Sequence, residues 1–228
     1  MSEAPVAARL AEVRRRIAEA ARRSGREPDE VTLVAVSKTQ PTDVILECIE
    51  NGATDLGENR AQELKQKRAV LGDRARWHFI GHLQTNKVRQ VVGIASLIHS
   101  VDRFGVAEAI ASRAVRLGII QEVLIEVNVA GEAAKQGVEP ARLGGLVDEI
   151  ASLSGLEVVG LMTMAPLHED PETSRPYFAE LRALGDVLRR TLPEARDLSI
   201  GMTRDFEVAI EEGATIVRVG EAIFGPRR

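Results

Sequence analysis

Hydrophobic positions along the chain fall into two alternating kinds of stretch. In one, apolar side chains occupy successive or every second position, as buried strands require. In the other they recur every three or four residues, the period of an amphipathic helix. The first kind predicts eight strands: Thr32–Lys38, Thr54–Asn59, Trp77–Gly81, Leu97–Val101, Glu122–Val129, Leu156–Thr163, Asp197–Met202 and Thr215–Gly220. The second predicts helices over Thr42–Glu50, Ala61–Val70, Lys87–Val92, Val106–Arg116, Ala141–Leu153, Arg175–Thr191 and Phe206–Glu212. Pro41-Thr42 stands where a helix would begin, and Asn51-Gly52 and Leu117-Gly118 where helices would end. The run Val31–Val36 is nearly continuously apolar, as a strand covered on both faces of a parallel sheet should be. Eight alternating units predict an α/β protein built as a single closed (β/α)8 TIM barrel, with an open doubly wound sheet as the alternative. An extra N-terminal helix, Val6–Arg23 within residues 1–30, is expected to pack on the barrel's bottom or flank. No repeat or long linker interrupts residues 1–228, so one domain is expected.

Composition narrows the partners. With 44% hydrophobic residues, 28% charged residues and a net charge of -4, the chain reads as a soluble globular protein. Its apolar runs are too short for a membrane helix, and Met1–Arg26 lacks the apolar core of an export signal, so a cytoplasmic location is expected. The single cysteine, Cys48, cannot form an internal disulfide and falls in the apolar stripe Val44, Ile45, Cys48, Ile49, the place of a core residue. An acidic balance and 3% aromatics argue against a nucleic-acid surface. A small-molecule partner and a monomeric chain are expected.

In such a barrel, chemistry gathers where the strands end. The first strand ends in Ser37-Lys38, the second in Glu58-Asn59, the third runs to His82, the fifth ends in Asn128, the seventh in Met202-Thr203 and the eighth in Arg218-Val219-Gly220. Lys38 shares a face with Thr32, Val34 and Val36. An amine emerging from an apolar interior has its charged form disfavoured, which makes it a nucleophile towards carbonyls. Gly201 with Thr203, and Gly220 with Glu221, form two turns after the last strands, where barrels often bind phosphate. Arg218, flanked by valines, must be paired, whether with a phosphate, a ring nitrogen or a core carboxylate such as Glu126. Asp205 reads as a cap for the helix after the seventh strand. His99 reads as a satisfied core histidine, and no cluster suited to a metal stands out.

The combination Ala35-Val36-Ser37-Lys38-Thr39, Leu56-Gly57-Glu58-Asn59, His78–Lys87, Gly201-Met202-Thr203 with Asp205, and Val217–Gly220 resembles the pyridoxal 5'-phosphate homeostasis protein family, barrel relatives of the N-terminal domain of alanine racemase. The resemblance covers nearly the whole chain. It implies a barrel binding pyridoxal 5'-phosphate as a Schiff base on Lys38, with Arg218 facing the pyridine nitrogen. By the same match Met202, Thr203 and the backbone at Gly220 and Glu221 hold the phosphate, and Asn59 lines the pocket. Two positions depart from the family: Thr203 stands where Ser is common, and Glu221 where Thr is common. A carboxylate facing a phosphate repels it, so Glu221 is expected to offer its N–H and turn its side chain away.

Related racemases use a lysine and a tyrosine on opposite faces of the substrate, the tyrosine coming from a second domain. The chain has one tyrosine, Tyr177, inside the sixth helical pattern, and ends soon after the eighth strand. The expected role is therefore intracellular vitamin B6 homeostasis, buffering the cofactor or delivering it transiently to apoenzymes with little or no turnover. An amino-acid racemase is the alternative. A cofactor-free sugar-phosphate isomerase would keep the phosphate turns but leave Lys38 without an aldehyde.

Overall fold

The computed structural model describes residues 5–132 and 136–226. Helix α1 (Val6–Arg23) comes first. The strands are β1 (Thr32–Val36), β2 (Asp55–Glu58), β3 (Arg76–Phe79), β4 (Leu97–Val101), β5 (Gln121–Glu126), β6 (Leu156–Met162), β7 (Asp197–Ser199) and β8 (Ile216–Val219). They pair in sequence order, all parallel, and β8 closes on β1. Helices α2 (Thr42–Glu50), α3 (Ala61–Leu71), α4 (Phe104–Leu117), α5 (Leu143–Ile150), α6 (Arg175–Leu188), α7 (Phe206–Glu211) and α8 (Glu221–Phe224) follow individual strands. The closed barrel, not the open sheet, is the arrangement found.

Two cores result. The large one lies between strands and helices, where Leu56, Trp77, Ile98, Leu181 and Phe206 are buried. The apolar cluster inside the barrel is small: Val34, Leu97, Leu124, Met162 and Ile216. The rest of the interior includes buried polar groups, which must find partners or be costly. Helix α1 lies on the flank, against α2, α7 and α8. There Arg16 pairs with Glu207 at 2.6 Å and stacks on Phe206, and Arg9 Nε donates to the Ile223 carbonyl at 2.7 Å.

Two local expectations change. The segment after β3 is a 3-10 helix, Thr85–Gln90, not an α-helix. Val88 and Val91 are both buried at a spacing of three, the 3-10 period. The fifth strand stops at Glu126, because Val127 bridges Val138 and Asn128 donates its N–H to the Val138 carbonyl, taking Asn128 out of the barrel rim. Among the described residues no helix is long and apolar enough to cross a membrane.

Candidate functional site

A cavity of about 500 Å³ opens over the C-terminal ends of the strands. It is lined by Lys38, Asn59, Met202, Thr203, Arg218, Gly220 and Glu221, so the seven positions that the family resemblance implies for the cofactor meet in one place. Its volume is that of a small-molecule site.

Lys38 stands two residues beyond β1 and is half-buried. Its neighbours are held from outside the cavity. The Ser37 hydroxyl donates to Glu58 Oε1 at 2.6 Å, and the Lys67 ammonium donates to the Ser37 carbonyl and to Glu58 Oε1, both at 2.7 Å. Glu63 Oε2 accepts the Thr39 N–H at 2.9 Å and a bond from Lys67 at 3.2 Å. Glu58 is therefore not a pocket residue; it is fully buried beneath the β1 rim. Burial pushes its carboxyl upward in pKa, against the opposing pull of Lys67 and Ser37.

The turns after β7 and β8 are shaped differently. Gly201 has φ +85°, and a Cβ there would lie 2.5 Å from Ala209 Cβ. A Cβ on Gly220 would come within 3.2 Å of the Val36 carbonyl. Bare backbone thus packs closely against α7 at Gly201 and against β1 at Gly220, and Gly220 lines the cavity. Glu221 opens α8, so its N–H and that of Ala222 have no carbonyl one helical turn back. The Ala222 N–H points at Thr203 Oγ1, 3.5 Å away, which brings that hydroxyl to the helix start. The Glu221 side chain is exposed to solvent. Asp205 does not cap α7. Its Oδ1 accepts the Met202 N–H at 2.7 Å and its Oδ2 accepts the Ser174 hydroxyl at 3.0 Å, closing the turn from below.

Arg218 lies in the cavity wall, 4% exposed. Its hydrogen bonds go to the Ser199 carbonyl (2.7 Å), Ser199 Oγ (2.5 Å) and the Thr163 carbonyl (2.9 Å), not to a carboxylate. Burial pulls its pKa down to about 10, with Glu126 and Asp205 acting against it through space. Glu126, at the end of β5, also lines the cavity, and burial raises its carboxyl to about 7. Sequence reasoning reads Glu126 as a polar interior residue and a possible partner for Arg218, not as a cavity residue. It passed over Met164, Pro166 and Leu167, which wall the cavity after β6 with no chemical motif to mark them. His82 is a further lining residue, its Nδ1 3.8 Å from Asp102 Oδ2. Among the described residues no three His, Cys, Asp or Glu side chains are placed to hold a metal ion.

The Lys38 amine, the Arg218 guanidinium and the turns after β7 and β8 therefore face a single cavity. That donor set fits a small aldehyde carrying a phosphate.

Comparison with known proteins agrees with this geometry. Residues 8–228 match the family described as alanine racemase, N-terminal domain. The chain is 50% identical over 222 residues to the pyridoxal phosphate homeostasis protein of Aquifex aeolicus (strain VF5), covering 96% of this chain and 97% of that one. It is also similar to the structure of PipY from Synechococcus elongatus PCC7942 with PLP bound, at 34% identity and a TM-score of 0.84, covering 96% of this chain and 100% of that one. Alanine racemase from Corynebacterium glutamicum shares the fold at 16% identity and a TM-score of 0.74, this chain covering 62% of its length. By these matches the chain belongs to the pyridoxal phosphate homeostasis proteins, within the family of the alanine racemase N-terminal domain.

Proposed function

We propose that this chain binds pyridoxal 5'-phosphate through Lys38 and serves intracellular cofactor homeostasis in the cytoplasm, holding the cofactor with little or no turnover. The observation that carries this reading is the shared cavity of Lys38, Arg218 and the turns after β7 and β8. When bound, the cofactor supplies an aldehyde that links reversibly to an amine, along with a phosphate and a ring nitrogen. Lys38 Nζ is the amine. The Thr203 hydroxyl, the Met202 turn and the N–H groups at Gly220 and Glu221 hold the phosphate as hydrogen-bond donors. Arg218 donates towards the ring nitrogen, which favours the unprotonated ring and weakens its capacity to draw electrons from a substrate. Asn59 closes the wall beside Lys38.

Custody rather than catalysis is further supported by Tyr177. It lies on α6, packed against the outer core and away from the cavity. The chain acts as a single-domain monomer and passes the cofactor transiently to apoenzymes.

Borohydride reduction followed by intact mass measurement tests the covalent role. One pyridoxal phosphate adduct is expected in the parent and none in Lys38→Ala; an identical adduct in that variant would overturn the assignment. In deuterated buffer, exchange of amino-acid α-protons at ordinary enzymatic rates would instead establish the racemase.

A further inference from the structure

The barrel interior holds a hydrogen-bonded column that ends at Arg218. Arg218 donates to Ser199 Oγ at 2.5 Å; Ser199 Oγ lies 2.9 Å from His99 Nδ1; His99 Nε2 lies 2.9 Å from His78 Nδ1; and His78 Nε2 lies 2.9 Å from Asp55 Oδ1. Every member is buried: Asp55 1%, His78 5%, His99 0%, Ser199 0% and Arg218 4% exposed. Asp55 sits at the start of β2, on the opposite face of the barrel from the cavity, where Arg76 and Thr54 also bond it.

One direction through these bonds leaves both imidazoles neutral. A guanidinium only donates, so Ser199 Oγ accepts from Arg218 and has its single hydrogen left to give. His99 Nδ1 stands in line to accept it. With that bond made, His99 carries its proton on Nε2 and donates it to His78 Nδ1, and His78 donates from Nε2 to the Asp55 carboxylate. Both imidazoles are neutral in this arrangement, and none of the atoms in the column lacks a partner. The surroundings of His99 and Asp55 favour the states drawn for these two. Burial, then His78 and Arg218, hold His99 well below the usual histidine range. Burial alone would raise Asp55, but hydrogen bonds from His78, Thr54 and Arg76 bring it down to about 2.

We infer that Asp55, His78, His99 and Ser199 are positioning residues for Arg218, a column that orients the guanidinium in the cavity wall from the opposite end of the barrel. The inference extends the pyridoxal phosphate reading. If the histidines were mere core filling, apolar side chains of similar volume would serve as well. If they aim Arg218, only replacements that accept at one end and donate at the other will do.

Two measurements test this. In protein free of cofactor, nitrogen-15 NMR of labelled histidine at neutral pH should show His78 and His99 both neutral with the proton on Nε2. An imidazolium, or a proton on Nδ1 of either ring, would overturn the column. In cofactor-loaded protein, Ser199→Ala and His99→Leu should each weaken pyridoxal phosphate binding roughly tenfold, the size of one charge-assisted hydrogen bond. Both should displace the visible absorption band of the bound cofactor. His99→Gln, whose amide can accept and donate in the same order, should restore affinity and band. Unchanged affinity and band in folded Ser199→Ala would sink the inference even if His99→Leu fails to fold. A parent protein that takes up no cofactor would instead remove the functional reading, while the histidine tautomers would still report on the column.

Discussion

The two sides of the cavity are built by opposite means. Beside Lys38, the chain is clamped by buried charge: Lys67, 7% exposed, holds the Ser37 carbonyl and the Glu58 carboxylate, and Glu63 holds the Thr39 N–H. On the other side, the turn after β7 is fixed by close backbone approach at Gly201 and by one carboxylate, Asp205, tying Met202. Charge clamps depend on every partner keeping its protonation state and are expensive to break. Steric turns do not depend on pH. The strand end at Lys38 is thus held mainly by buried charge, and the turn at Gly201 mainly by steric fit, with Asp205 as its one charged tie.

The largest expected effect breaks the charged side. Lys67→Met leaves Glu58 buried without its cation, with Glu58 Oε2 already lacking a hydrogen-bond partner. A loss of about 3–5 kcal/mol is expected in urea unfolding. Adding Glu58→Gln should recover part of it, because the double variant no longer buries an uncompensated charge. Full additivity of the two losses would show that the pair is not coupled.

The steric side should yield somewhat less. Gly201→Ala places a Cβ 2.5 Å from Ala209 Cβ and 2.8 Å from Phe206 Cα, at a φ of +85°. Strain and overpacking together should cost about 3 kcal/mol. Unlike the Lys67 variant, the loss should be the same at pH 5 and pH 8.

This contrast also marks what the sequence made legible. Gly201, Thr203 and Gly220 could be read because a steric turn is local: its residues are chain neighbours with a recognisable order. So could the strands, since burial on both faces leaves a nearly unbroken apolar run such as Val34-Ala35-Val36 in β1. The charge clamp and the column could not. A two-residue period says which face His78 occupies, but not that His99, 21 residues away, stands across from it. Nor does the periodicity of α3 reveal that Lys67 turns inward to Glu58. Asp205 was misread for a related reason: capping is the commonest use of an aspartate before a helix, and only the folded turn shows its carboxylate facing backwards.

Glu126 sharpens the comparison through pH. Burial first, then Asp102, lift its carboxyl from the ordinary 4.5 to about 7, while Arg218 opposes. Between those values the folded chain keeps a proton that the unfolded chain has released, so the contribution of Glu126 is complete below pH 4.5 and is lost as pH rises through about 7. The loss is on the order of 3 kcal/mol. Glu126→Gln should flatten that part of the stability profile and leave the variant more stable than the parent at pH 8. A parent profile already flat across this window would mean that water or a counter-ion reaches the carboxylate.

The smallest effect on stability belongs to Thr39, which has φ +64°, the sole positive value outside glycine among the described residues. A β-branched side chain there is strained by about 1–2 kcal/mol, and Glu63 supplies the restraint by accepting its N–H. Thr39→Gly removes the strain but adds freedom to the unfolded chain, so thermal stability should move by no more than about 1 kcal/mol. Lys38, one residue away, then loses part of its preorganisation, and pyridoxal phosphate dissociation should quicken about threefold. Strain beside the anchor would thereby be separated from stability of the fold. A Thr39→Gly chain that releases the cofactor no faster than the parent would assign the clamp to Ser37 alone, leaving Glu63 a role only in holding Lys67.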